Sequence, residues 1–299
     1  MKKNSNSVNP SKKQRYILPK FLNIWSHLPL NWLYNILNFT RLVIFNIFKY
    51  RRKVTNKNID IVFPDRNKTE QKAIRTAFEK HFCDLLAESL KLPNLSSEEL
   101  KRRFDIQINE DMKRYIAAGK DIIIAGAHIN NWEWAVTAGG QQLPCRAVGI
   151  YKPIHHQGME YYIKTNRQRH GTEMIAMANV VRDMLRKDRM SSAYFFLSDQ
   201  STPFTDQAHY VDFFGIKTPF VPGMSQLASR LNLPIFYFYI KKTKRGYYTA
   251  HFTTLLEESS TLTPTEITDL YVKKLTDNIL NESPNWLWTH KRWKRVLKY

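Results

Sequence analysis

The chain has 299 residues and a formal net charge of +20, with 46 Lys and Arg against 26 Asp and Glu. That length can bury a sizeable core and suits one α/β domain with an N-terminal appendage. Cys83 and Cys145 are too few and too far apart for a disulfide framework, a zinc site or a redox pair. The basic, polar start lacks the short apolar core and small-residue cleavage site of a secretory signal peptide.

The charge is unevenly spread. Residues 1–59 contain twelve Lys and Arg and no acid, and residues 288–299 contain five and none, which leaves the long middle nearly neutral. A nucleic-acid reader is the plain rival for so basic a protein. Zinc-finger spacing, an RNP-type aromatic motif and a helix-turn-helix signature are all missing, and the basic ends flank apolar, Trp-rich segments. An anionic membrane surface fits that pairing better, so a membrane partner is expected and nucleic acid is not.

In chain order, residues 1–15 read as disordered. Pro29 to about Tyr50 then reads as a helix long enough to span a membrane. Asn31, Asn35, Asn38, Asn46 and Lys49 fall on one stripe, with Leu33, Ile36, Leu37, Val43, Ile44 and Ile47 opposite. Such a helix suits the membrane interface, and basic residues on both flanks fit two cytoplasmic ends. A spanning anchor and an ordinary core helix are the alternatives. Residues 58–64 read as a transition and Thr69–Leu92 as a helix, and Ser96-Ser-Glu-Glu99 reads as a further helix start. Strands and helices then alternate. Strands are expected at Ile122–Ala125, Arg146–Tyr151, Met174–Ala176, Ser192–Leu197 and Ile235–Ile240, with an edge strand at Tyr247–Leu255. Helices are expected from Trp132, and at Met159–Arg169, Asn179–Lys187, Gly223–Leu231 and Pro264–Asn281. The fold class is therefore α/β: a mixed, mostly parallel central sheet flanked by helices, with an N-terminal amphipathic, membrane-associated helix. Two regions follow, a basic segment at 1–57 carrying that helix and a body at 58–299.

The stretch His128-Ile-Asn-Asn-Trp-Glu133 directly follows the apolar run Ile122–Ala127. It places a histidine at the carboxyl end of a strand, the edge where ligands gather in open α/β sheets. Asn130 and Asn131 offer N-caps for the next helix. Glu133, in that helix's first turn, can reach back to the ring, fix its tautomer and support it as a general base.

This stretch resembles the histidine-four-residues-acid motif of the lysophospholipid acyltransferase superfamily. Further segments narrow the resemblance to the bacterial lipid A biosynthesis (late) acyltransferase branch: Tyr151-Lys-Pro153, Arg167-Gln-Arg-His-Gly171, Ser198-Asp-Gln200, Val211-Asp-Phe-Phe-Gly215, Thr218, Pro222-Gly223, and Pro284-Asn-Trp-Leu-Trp-Thr-His-Lys-Arg-Trp293. Together they cover about Tyr50 to Lys294. The resemblance implies O-acyl transfer from an acyl thioester, usually on acyl carrier protein, to a hydroxyl of a phosphorylated, anionic lipid A precursor at the cytoplasmic face of the bacterial inner membrane, with no cofactor and no metal. It implies His128 as general base with Glu133 as its orienter. It also points to Arg169 and Arg167 for phosphate or thioester contact, Asp199 for positioning the acceptor or an arginine, and His290 and Arg292 for phosphate. Backbone N–H groups near Gly126 or Asn131 are the expected oxyanion donors. The terminal tryptophans are expected to pack or to sit at the lipid boundary. Other readings remain open: a different acceptor (a lysophospholipid, glycolipid or aminolipid), or a non-catalytic basic membrane- or nucleic-acid-binding protein. No Gly-x-Ser-x-Gly elbow supports a hydrolase.

Overall fold

The computed structural model describes residues 17–186, 189–202 and 206–296; the disorder expected for residues 1–15 lies outside them. Two helices, α1 (Ile17–Ser26) and α2 (Leu30–Arg41), open the fold, and a π-helical stretch, Leu42–Ile47, prolongs α2. Then come α3 (Arg52–Val62), α4 (Lys68–Lys91) and α5 (Ser97–Arg103), followed by β1 (Phe104–Gln107) and α6 (Glu110–Ala117). The central run is β2 (Ile122–Gly126), α7 (Trp132–Gln142), β3 (Arg146–Tyr151), α8 (Gln157–Gln168), β4 (Glu173–Ala176), α9 (Val180–Met184) and β5 (Ser192–Leu197). A hairpin, β6 (His209–Asp212) with β7 (Lys217–Phe220), precedes α10 (Gly223–Leu231), β8 (Ile235–Lys244), β9 (Tyr247–Leu256) and α11 (Pro264–Asn281).

Seven strands form one sheet in the order β1-β9-β8-β2-β5-β3-β4. All neighbours are parallel except β8 and β9, whose tight turn passes through Gly246 at φ +71°. The mixed, mostly parallel sheet flanked by helices is the class expected from the strand-helix alternation. Central strands of such a sheet are covered on both faces and so read as unbroken apolar runs. Alternate residues of β2 and β5 enter two separate cores. Ile123, Ala125, Tyr194 and Phe196 pack with α10, α11 and the terminal tryptophans; Ile122, Ile124, Ala193 and Phe195 pack with α2, α6 and α7.

Local chemistry explains the well-placed helix starts. Asn67 with Glu70 and Thr263 with Glu266 make complete capping boxes, and Ser96 caps α5. Three expectations need correction. Residues 58–62 are helical, within α3, so a boundary at 57/58 falls inside a helix. The strand β9 is not at the edge, because β1 pairs with it. The face of α2 bearing Leu33 does not point outward: Leu30, Leu33 and Tyr34 are buried against the body, and Tyr34 bonds to Glu88 of α4. The outward surface of this region instead combines polar Asn31 and Asn35 with Trp32, Phe39, Leu42, Ile47 and Phe48. Among the described residues, no helix is long and apolar enough to cross a membrane.

Candidate active site

The site is built where β2 and β5 end side by side. Their parallel register pairs Gly126 with Leu197, so His128 and Asp199 each lie two residues past a matched pair. Gly126 is required at this edge: a Cβ there would fall 1.8 Å from the Phe238 ring. Its carbonyl accepts the Tyr271 hydroxyl at 2.8 Å, which ties the strand end to α11.

The loop after β2 is pinned by the carboxyl-terminal segment. Leu287 N–H donates to the His128 carbonyl at 3.1 Å, and Asn130 N–H donates to the Asn285 carbonyl at 3.0 Å. Asn130 takes φ +55°, a left-handed conformation that asparagine tolerates better than most residues. Its amide donates to the Ile240 carbonyl at 2.6 Å. Asn131 then caps α7, accepting Trp134 N–H at 2.9 Å.

Asp199 is almost fully buried and receives three donors. His128 Nδ1 lies 2.6 Å from Oδ1, while Oδ2 accepts the Trp286 indole N–H at 2.9 Å and the His128 backbone N–H at 3.2 Å. Burial works against the charged form, yet the charge and hydrogen bond of His128 outweigh it, and the carboxyl is held at about 2. An ionised Asp199 can only accept, so Nδ1 carries the hydrogen and Nε2 becomes the basic nitrogen. The ring remains 17% exposed and stands edge-on to Trp132, at 5.2 Å between centroids.

Glu133 does not hold the imidazole, contrary to expectation. Its carboxylate is taken by Arg167, which donates from Nε at 2.7 Å and Nη2 at 2.6 Å, a bidentate pair. Trp132 Nε1 adds a third donor at 3.1 Å. Burial opposes ionisation of Glu133, but Arg167 chiefly, with a smaller effect from His128, lowers its pKa below the usual value. Two carboxylates thus serve two neighbouring side chains at one sheet edge, Asp199 the imidazole and Glu133 the guanidinium.

A family model described as "Bacterial lipid A biosynthesis acyltransferase" matches residues 1–295. The chain belongs to that family. The acyltransferase is 24% identical over 234 residues to a lipid A biosynthesis acyltransferase of Haemophilus influenzae, covering 71% of this chain and 69% of that one. It is 20% identical over 291 residues to the lipid A biosynthesis palmitoleoyltransferase of Escherichia coli K12, covering 94% of each. A lipid A biosynthesis acyltransferase of Shigella flexneri matches to the same extent.

Other residues singled out in the sequence fall in different places. Arg167 reaches the site, whereas Arg169 caps α8 from an exposed position. Arg292 of the acyltransferase is fully buried, with its guanidinium over the Phe220 ring at 4.1 Å and a bond to the Pro219 carbonyl. Burial drags its pKa down to about 10. A phosphate contact does not fit that position. Nor does it fit His290, whose Nε2 accepts Ser201 N–H at 2.8 Å and whose pKa burial lowers to about 4. His290 thus braces the loop after β5, and Arg292 braces β7. Trp286, Trp288 and Trp293 all pack inside, with Trp293 stacked on Phe213 at 5.6 Å, not at a lipid boundary.

Sequence reasoning missed Trp286 as a partner of Asp199, and Asp199 as the partner of His128. Each lies at a strand end or in the terminal Trp cluster, but their adjacency depends on strand order. For Arg167→Ala, which strands the Glu133 carboxylate beside His128, we expect activity to fall about 100-fold with the melting temperature lowered, since breaking such a pair exposes an unpaired charge. Steady-state kinetics and thermal melts check this; wild-type kinetics would show that the pair is only structural.

Proposed function

We propose that this acyltransferase uses His128 Nε2 to remove the proton from a hydroxyl of a phosphorylated lipid A precursor as that oxygen attacks an acyl thioester carried by acyl carrier protein. The new C–O bond forms a tetrahedral oxyanion. Its collapse breaks the C–S bond, and the thiolate recovers the proton from His128, leaving an ester and a free thiol. A neutral alcohol needs such a base, and the base needs an orienting carboxylate. The 2.6 Å contact between His128 Nδ1 and buried Asp199 is the observation that carries this reading.

Three amides before α7 are already engaged: His128 with Asp199, Ile129 with Ala127 and Asn130 with Asn285. We therefore assign the oxyanion's donors to the first turn of α7, where the helix dipole also favours negative charge. Exposed Arg169 suits the acceptor's phosphate.

Attachment to the cytoplasmic face of the inner membrane is part of the same reading. Phe21, Ile24, Trp32, Phe39, Leu42, Ile47 and Phe48 are exposed on the N-terminal helices, near exposed Lys20, Lys49, Arg51 and Lys53. Apolar surface beside basic residues suits an anionic interface. Removing residues 1–50 would also strip Leu33 and Tyr34 from the core, so surface substitutions make the cleaner test. The triple variant Trp32→Ser/Phe39→Ser/Phe48→Ser should bind anionic vesicles at least about 1,000-fold less tightly, measured by co-sedimentation, because each aromatic buried in lipid contributes about 1.5–3 kcal/mol. Unchanged sedimentation would remove the interfacial reading.

The donor and acceptor are tested together with purified enzyme, acyl carrier protein thioester or coenzyme A thioester, and either a phosphorylated lipid A precursor or a lysophospholipid. The expected product is the acylated lipid A precursor, formed from the carrier-protein thioester. Product only on the lysophospholipid would overturn the acceptor, and product only from the coenzyme A thioester would overturn the donor.

A further inference from the structure

Glu88, in α4, is a fully buried carboxylate that the chemistry above does not use. Its Oε1 accepts the Tyr34 hydroxyl at 2.7 Å, and its Oε2 accepts the Asn131 amide at 2.6 Å. The Tyr248 hydroxyl bridges both oxygens, at 3.0 and 2.8 Å. The Glu88 backbone carbonyl accepts the Trp134 indole N–H at 3.2 Å, and Trp134 meets the Tyr248 ring edge-on. One residue of α4 therefore ties together α2, β9 and the start of α7.

The connection to the site runs through Asn131. Its Oδ1 is committed to capping Trp134 N–H, so its Nδ2 must face Glu88. Asn131 immediately precedes Trp132 and Glu133, which stand beside His128. Burying a carboxylate is costly unless donors surround it, and an apolar residue of similar volume often serves stability as well or better. Burial pushes the Glu88 pKa up to about 7, against the pull of the Tyr34 and Tyr248 hydroxyls. Packing alone gives no reason for an acid here. Precise geometry does, since a misplacement of about 1 Å at a reacting centre can cost on the order of 100-fold in rate.

We propose that Glu88 is a positioning residue: it clamps the Asn131 amide so that the first turn of α7, with Trp132 and Glu133, keeps one orientation beside His128, and Tyr34 links that clamp to the N-terminal helix α2. The inference builds on the assignment of His128 as the base and of the first turn of α7 to the oxyanion. It identifies α2 as a structural support of the site as well as an outer surface.

Three variants of the full-length enzyme test it. Asn131→Ser keeps a good helix cap but deletes the donor to Glu88. Glu88→Met removes the clamp at similar volume. Glu88→Gln restores an acceptor for Asn131, with its own amide turned to the tyrosine oxygens. Asn131→Ser and Glu88→Met should each lower kcat about tenfold or more, with KM for the acyl donor within about twofold. Glu88→Gln should stay within about threefold of wild type. The double variant Glu88→Met/Asn131→Ser should be no worse than its poorer single parent, because both act through one bond. Hydrogen exchange of the amides at 132–135 should quicken about tenfold in Asn131→Ser and in Glu88→Met, and not in Glu88→Gln. Wild-type kcat and exchange in Asn131→Ser, or multiplying losses in the double variant, would overturn the clamp. Should Glu88→Met fail to fold, Asn131→Ser decides alone. Should the wild-type enzyme make no product from the lipid A precursor, the assigned acceptor fails, and unchanged exchange in Asn131→Ser would still overturn the clamp by itself.

Discussion

His128→Ala should lose acyl transfer by about 1,000-fold or more while retaining the wild-type melting temperature within a few degrees. General-base catalysis contributes roughly 10²–10⁴-fold, and His128 is the base that this geometry supplies. The ring is partly exposed, and its backbone is held independently by Leu287, so truncation leaves the loop anchored. The Asp199 carboxylate loses one donor but keeps the Trp286 indole and the His128 amide. Activity measured with carrier-protein thioester and lipid acceptor, together with a thermal melt, separates loss of chemistry from loss of fold. Turnover near wild type would remove the base.

The second large effect is expected at Asp199→Asn. Asparagine matches aspartate in size, so the packing around it survives, but its charge is gone. The ring would no longer be held in the Nδ1–H tautomer, and the imidazolium formed during attack would lose its counter-charge. In the serine-protease triad the equivalent change costs about 10⁴-fold. Here we expect on the order of 10²–10⁴-fold in kcat, with little change in KM. The same substitution changes the acid limb of stability. The folded pKa of Asp199 lies at about 2, below its ordinary value of about 3.9. Its contribution is thus complete above about pH 4 and disappears as pH falls toward 2. Asp199→Asn should flatten the loss of stability across that window. A kcat within threefold of wild type would mean that another group orients His128.

Much of this arrangement is legible in the sequence. Continuous β-branched and aromatic runs at Ile122–Ala125 and Ser192–Leu197 announced buried parallel strands, and the bounds of β3, β5, α10 and α11 follow directly from periodicity and capping. His128 stood out because it followed such a run. Its partner did not. Asp199 also follows a strand, but β3 and β4 intervene in the chain, and nothing local shows that β5 inserts between β2 and β3. Spacing along the chain favoured Glu133, five residues away; register across the sheet favours Asp199, 71 residues away. Arg167 and Arg169 share one basic run, and only the rotation of α8 points the first inward. The basic cluster near Trp293 suggested phosphate because burial of Arg292 against Phe220 is a tertiary fact. The amphipathic pattern of 29–50 was real as a pattern, but its Leu33 face met α4 in place of lipid. Short β1 and the transition at 58–62 carried too few residues for their periodicity to stand out.

The most direct measurement is mass spectrometry of lipid A from cells that make the wild-type enzyme, the His128→Ala enzyme or neither. Wild type alone should raise the mass of the lipid A species by one acyl group, and His128→Ala cells should match those lacking the protein. An identical lipid A profile in all three, or the same added acyl chain in the His128→Ala cells, would contradict a histidine-based acyl transfer to this acceptor.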